Sequence, residues 1–140
     1  MLAVVLAAIL ALHAVRDRDG SVERSVQPLS ATEDGTGKMV TLAIDFGVGA
    51  AREYQPVAWR EGITVADLLT AVHRDGIRVH FEQRGSGQMA FLTALDGRRN
   101  EGAGGRNWIY EVNGKRADRS FAVYELAPGD RVLWEFAAAE

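Results

Sequence analysis

The last third of the chain repeats one pattern twice. Trp108, Tyr110 and Val112 are spaced by Ile109 and Glu111, and Val132, Trp134 and Phe136 by Leu133 and Glu135. A period of two places successive side chains on opposite faces of an extended strand, so each run has one face suited to a core. Each run also carries its own turn signal: Asn113-Gly114 follows the first, and Pro128-Gly129-Asp130 precedes the second. Two strands of a half-buried sheet are expected here. No catalytic motif lies within them.

The same alternation opens the folded region, where Val40, Leu42, Ile44 and Phe46 are interleaved with Thr41, Ala43 and Asp45, and Gly47 closes the run. Tyr54 to Trp59 reads as the returning strand of a hairpin. Pro56 within it places that strand at an edge or makes its pairing irregular, since proline cannot donate to a ladder. The period then switches. Thr64-Val65-Ala66-Asp67 can cap a helix, with the Thr64 hydroxyl accepting from the Asp67 amide and the carboxylate at the positive end of the dipole. Val65, Leu68, Leu69 and Val72 follow at i, i+3, i+4 and i+7, one stripe able to cover a sheet, and Gly76 reads as the terminator. Beyond it, Ile77, Val79 and Phe81 alternate. Met89 to Leu95 forms a further strand closed by Asp96-Gly97, and Asn113-Gly114 is a strong hairpin signal because both residues tolerate positive φ. A hairpin, one helix and then several strands predict an α+β domain, a β-grasp-like mixed sheet with one packed helix. No internal repeat is visible.

The 140-residue chain accommodates one such domain, over 39–136, with an appended segment. Leu2 to Val15 is apolar except for His13 and ends at Arg16-Asp17-Arg18-Asp19. A helix of that length spans roughly 21 Å, short of the roughly 30 Å hydrocarbon core and suited to the core of a signal peptide. Leu12-His13-Ala14 can serve as its small-residue cleavage site. No Lys or Arg precedes the run, which leaves two alternatives: a misplaced start, or a segment retained as an uncleaved anchor. Residues 1–15 are therefore expected to be a signal peptide or membrane anchor formed by a separate hydrophobic helix. Residues 16–38, without an aromatic and with Pro28 and Glu33-Asp34-Gly35-Thr36-Gly37, are expected to be a flexible linker. An exported or membrane-tethered protein follows, touching the membrane only through that segment.

Composition narrows the function. A net charge of -3 argues against nucleic-acid binding, which needs a dense basic face, and the lack of cysteine excludes disulfides and thiolate metal sites. Gly85-Ser86-Gly87-Gln88 precedes a strand rather than a helix, so it is no dinucleotide fingerprint, and Ser86 lacks the setting of a nucleophile elbow. His73 and His80 fall in different elements without metal-ligand spacing. Asp45, Asp67, Asp96 and Asp130 are accounted for by strand polarity, capping and turns, so no acid–base pair is placed by local spacing. A non-catalytic protein is expected, without a metal. From Arg84 to Arg119, seven basic residues (Arg84, Arg98, Arg99, Arg106, Lys115, Arg116, Arg119) stand against four acidic ones. Were the glycine loops and the Asn-Gly turn to share one end of the sheet, that end would be positive. Among the three tryptophans, Trp108 is expected to be partly exposed, at the mouth of a glycine loop.

Taken in order, these segments resemble the transcobalamin C-terminal-like family, a domain of unknown function in exported bacterial proteins. The matching stretches are Gly62-Ile63-Thr64-Val65-Ala66-Asp67-Leu68-Leu69, Gly85-Ser86-Gly87 and Leu95-Asp96-Gly97. They continue through Trp108-x-Tyr110-x-Val112-Asn113-Gly114 to Tyr124-x-Leu126-x-x-Gly129-Asp130-x-Val132-x-Trp134. The resemblance implies a ligand- or partner-binding module. In cobalamin carriers this domain closes over one face of the corrin, held by a separate helical domain that has no counterpart in these residues. No cofactor is therefore expected of this chain alone, cobalamin or another corrinoid being the ligand the resemblance suggests. It also implies that the loop entering the tryptophan faces the ligand, here Gly104, Gly105, Arg106, Asn107 and Trp108, with Asn107 standing where the family carries an aromatic. Ser86 and Gln88 in the 84–88 loop complete the expected working end. The partner is an unidentified small molecule or protein. A structural or adhesive surface module, pairing through an exposed strand edge, is the second class.

Overall fold

The structure, a computed structural model, describes residues 37–138. The expected apolar segment 1–15 and nearly all of the expected linker lie outside them. The first strand, β1 (Met39–Asp45), buries Val40, Leu42 and Ile44 and leaves Thr41, Ala43 and Asp45 half-exposed, as its alternation requires. Its return is split. β2 (Arg52–Glu53) and β3 (Val57–Ala58) both pair antiparallel with β1, and the chain leaves the ladder at Gln55-Pro56 between them. The expected continuous strand from Tyr54 to Trp59 is thus two short ones, because Pro56 has no amide to donate.

The helix, α1 (Val65–Ala71), starts as its sequence predicts. Asp67 N donates to Thr64 Oγ1 at 3.2 Å and Thr64 N donates to Asp67 Oδ2 at 3.0 Å, a reciprocal capping box. Val65, Leu68, Leu69 and Val72 are all 0% exposed. The helix stops earlier than expected. Val72 is already extended, and His73–Arg74 (β4) pairs with Ile77–Arg78 (β5) across Asp75-Gly76. Gly76 is therefore a hairpin turn residue rather than a helix terminator. Both Asp75 (φ 52°) and Gly76 (φ 77°) are left-handed, the geometry that suits a two-residue hairpin. The strand expected from Ile77 to Phe81 is consequently broken. Phe81–Arg84 (β6) pairs instead with Phe91–Leu95 (β7), and β7 turns through Asp96-Gly97 into Arg98–Arg99 (β8).

The two long terminal strands, β9 (Arg106–Val112) and β11 (Arg131–Ala138), pair antiparallel over seven residues, with Trp134 opposite Tyr110 and Phe136 opposite Trp108. Between them Lys115–Arg116 (β10) folds back on β9. β11 then lies parallel to β1, from Thr41 opposite Arg131 to Asp45 opposite Glu135. The main sheet has the order β10-β9-β11-β1-β2, with β3 also on β1, and β6-β7-β8 form a second sheet. Among the described residues the result is an α+β fold, a mixed sheet with one α-helix. Its core joins the inward residues of β1, β9 and β11 to Leu68 and Leu69 of α1, to Leu92 and Leu95, and to Phe121 and Leu126 of the long 117–130 connection. That connection is tied to the helix start, where Val65 N donates to Tyr124 O and Ala66 N donates to Phe121 O.

Candidate functional site at the loop end of the sheet

Because β1 and β11 are parallel, both finish at the same end of the sheet, and the antiparallel β9 begins there. Three connections meet at that end: residues 46–51 after β1, the turn from β7 into β8, and residues 100–105 before β9. Under them lies an aromatic plug. Phe46 meets Trp108 edge-on at 5.4 Å between centroids, and Trp108 packs on Phe136 at 5.2 Å. Guanidinium groups sit on these rings: Arg52 lies 4.4 Å from the Phe46 centroid, while Arg98 and Arg106 lie 5.2 and 5.0 Å from that of Phe136. Such stacking orients an arginine while leaving its charge available. Arg98 also donates to the Phe46 carbonyl at 2.6 Å, joining two of the three loops.

The glycine loop is held mainly by its own side chains. Arg106 N donates to Glu101 Oε2 at 2.7 Å, and this backbone hydrogen bond, before the Arg106 charge, keeps the Glu101 carboxyl below the usual carboxylate range. Asn107 accepts from Gly102 N and donates to the Gly102 and Gly105 carbonyls. Its carboxamide therefore closes the loop. Trp108 is 6% exposed and its Nε1 donates to Arg98 O at 2.7 Å. The expectation of a partly exposed Trp108 is corrected: the alternation of β9 turns it inward, and the partner that satisfies its indole lies ten residues away in sequence. Gly104 and Arg106 are the exposed members of the set, with Gly105 and Asn107 half-exposed.

The remaining expected residues lie elsewhere. Ser86 and Gln88 are exposed at the turn from β6 to β7, and Gln88 borders Asp118, Arg119, Ser120 and Val123. That segment is tied to the far half of β9, because Tyr110 Oη donates to Arg119 O. Asn113-Gly114 ends β9, whereas the 102–105 loop begins it. The glycine loop and the Asn-Gly turn thus occupy opposite ends of a seven-residue strand, and the single positive end imagined from sequence does not form. Arg99 pairs with Glu82, and Arg119 with Asp118.

A different basic cluster assembles beside the loop end. Arg52, Tyr54, Arg74, Ile77, Arg78 and Asp96 border a cleft of about 330 Å³ that also reaches Asp75. A second hollow of about 340 Å³, lined by Phe46, Val48, Gly97 and Arg98, shares Arg52 and Asp96 with it. Burial pushes the Tyr54 hydroxyl pKa up, aided by the Asp96 charge and opposed by Arg52 and Arg74. Arg52, Arg74 and Arg78 come from short strands with no motif of their own, so sequence spacing gave no sign of them. A larger groove of about 580 Å³ crosses β1 near Pro56, with Glu53 and Arg131 as its charged residues. It lacks the convergence of charges seen at the loop end. Among the described residues no group of three or more His, Asp or Glu is placed to hold a metal ion, and no helix is long and apolar enough to cross a membrane.

A mixed-sheet α+β domain with three loops gathered over an arginine-capped aromatic plug is the class that these features define. The chain belongs to the family described as "Domain of unknown function (DUF4430)", which matches residues 62–138. The fold is similar to that of a solved structure from Ruminococcus gnavus ATCC 29149, described as a "putative metal binding protein". The TM-score is 0.57 at 12% sequence identity, over 74% of this chain and 99% of the other. No curated protein matches the chain significantly.

Proposed function

We propose that this chain is a non-catalytic, exported or membrane-tethered binding module, with a β-grasp-like domain of the transcobalamin C-terminal-like kind. The observation that carries the reading is the meeting of three loops where β1 and β11 finish, with Arg52, Arg98 and Arg106 stacked on Phe46 and Phe136. Loops gathered at one end of a rigid sheet are a common place for ligand contacts. Gly104, Gly105 and Arg106 are the residues of the glycine loop that a ligand would meet first. Trp108 acts beneath them as a support, and Asn107 holds the loop shape.

Membership of the DUF4430 family supports the transcobalamin-like reading, and the name of the Ruminococcus gnavus protein supports a binding role without fixing the ligand. The outer strands of the main sheet, β2 and β10, have two residues each, which offers little ladder to an added strand and favours the loop-end reading over an adhesive edge. Calorimetric titration of the chain with cobalamin and cobinamide tests it, with Arg106→Gln in parallel. Saturable heat that the variant weakens supports a corrinoid at the loop end. Absence of heat at high micromolar ligand rejects autonomous corrinoid binding and leaves a protein partner as the ligand to seek.

A further inference from the structure

The cleft between β2, the β4–β5 hairpin and the β7–β8 turn shares Arg52 with the loop end and adds Arg74 and Arg78, which the loop-end reading does not use. Three guanidinium groups, Arg52, Arg74 and Arg78, border one hollow of about 330 Å³. The opposing charges are partly committed. Asp96 Oδ1 accepts from His80 N at 2.9 Å, and Asp75 is paired with Arg74 at 3.7 Å, in a contact whose side chains are 52% and 86% exposed. An ion pair so open to water contributes little. Among the described residues Arg52 and Arg78 have no carboxylate within salt-bridge distance. Arg52 is also held in place by its 4.4 Å stacking on Phe46. The wall is not purely polar: Tyr54 is half-buried in it, and Ile77, 73% exposed, projects at the hairpin. The Tyr54 ring and Ile77 put apolar surface beside Arg52 and Arg78 in one hollow, which suits a molecule with an apolar body and an anionic head.

We infer that the cleft of Arg52, Tyr54, Arg74, Ile77 and Arg78 is a binding site for a small organic oxyanion, its phosphate or carboxylate held by the guanidinium groups and its apolar part laid against Tyr54 and Ile77. Arginine presents paired N–H donors that match both head groups in a bidentate manner. The inference rests on the reading of the domain as a binding module, but not on the identity of the loop-end ligand.

The test is a titration of the full 140-residue chain with phenyl phosphate, benzoate and inorganic phosphate, followed by NMR of the arginine Nε–Hε groups. Saturable shifts confined to Arg52, Arg74 and Arg78 are expected, with an aryl ligand binding more tightly than inorganic phosphate. Whichever of phenyl phosphate and benzoate binds more tightly identifies the head group. Arg74→Gln, in an exposed hairpin away from the core, should weaken the aryl ligand roughly tenfold, the loss of one charge-assisted contact. Arg78→Gln provides a second variant that leaves the stacking of Arg52 intact. Equal shifts across all arginines, no saturation at a concentration on the order of 10 mM, or unchanged affinity in both variants would overturn the inference. Corrinoid heat that persists while these titrations fail would sink the oxyanion site alone. Loss of the corrinoid heat alone would sink the loop-end ligand and leave the cleft standing.

Discussion

The indole Nε1 of Trp108 donates to the Arg98 carbonyl at 2.7 Å, which fastens the start of β9 to the start of β8. The backbone amide of Trp108 donates in turn to Asn100 Oδ1 at 2.8 Å. This residue is thus the joint between the glycine loop and the smaller sheet. Trp108→Ala should cost about 3–5 kcal/mol, as for a large aromatic removed from a core. Trp108→Phe should cost about 1–3 kcal/mol by leaving the Arg98 carbonyl unpaired. Trp134 supplies the control: it is 2% exposed, and its Nε1 has no acceptor among the described residues. Trp134→Phe should therefore cost less than Trp108→Phe in urea unfolding. The reverse order would show that the Trp108 hydrogen bond contributes nothing net.

The outer face of the sheet gathers acidic residues. Asp45 lies opposite Glu135, and Glu111 lies opposite Leu133, two residues before Glu135 on the same face of β11. Desolvation raises the Glu135 pKa, with Glu111 and Asp45 adding to the effect and Arg116 opposing it. A carboxyl raised on folding binds protons more readily in the native state, so its contribution falls as pH rises from the unfolded value through the raised one. Glu135→Gln should accordingly stabilise the domain at pH 7, by less than about 1 kcal/mol for a half-exposed group, and by less still near pH 4. Thermal unfolding at the two pH values measures it. A variant less stable than wild type at pH 7 would refute the assignment.

Two exposed glycines with similar backbone angles should respond differently to alanine. Gly85 (φ 73°) and Gly104 (φ 77°) are both left-handed, but a Cβ at Gly85 would collide with the Met89 carbonyl, whereas one at Gly104 meets open space. Gly104→Ala should cost about 1–2 kcal/mol, the backbone term alone. Gly85→Ala should cost more, since the turn must also move. Chemical denaturation of the two variants side by side reads the difference. Equal losses would mean that the 85–89 turn yields freely.

Asn113 ties the far end of the sheet together. It donates through Nδ2 to Asp130 Oδ1 at 2.8 Å and accepts at Oδ1 from Arg131 N at 2.9 Å, with a positive φ of 52°. Asn113→Ala loses both bonds and strains the turn, for a cost of about 1–3 kcal/mol. Asn113→Gly relieves the backbone but not the bonds. Its stability should fall between wild type and the alanine variant, and a glycine variant matching wild type would show that only the backbone angle matters.

Sequence periodicity determined the strands β1, β9 and β11, the capped start of α1 and the turns at 96–97 and 113–114, and it placed β7 except for its start, since Met89 closes a short 3-10 turn and the strand begins at Phe91. Each depends on contacts within a few residues, or on an alternation that separates a wet face from a dry one. The burial of Val65, Leu68, Leu69 and Val72 follows from the same local rule. Where the helix ends was not settled locally, because Asp75-Gly76 suits a helix terminus and a hairpin turn alike. Only the pairing of His73 with Arg78 decides for the hairpin. The gathering of the loops depended even more on tertiary structure. Which loops share an end follows from the parallel pairing of β1 with β11, residues about ninety apart in the chain, and no turn motif encodes that partner choice. The arginine cleft is of the same kind. Arg52, Arg74 and Arg78 are unremarkable in sequence, and they meet because three short strands converge beside Tyr54. Local chemistry fixes which face a side chain takes; the company it keeps there is set by the long-range closure of the sheet.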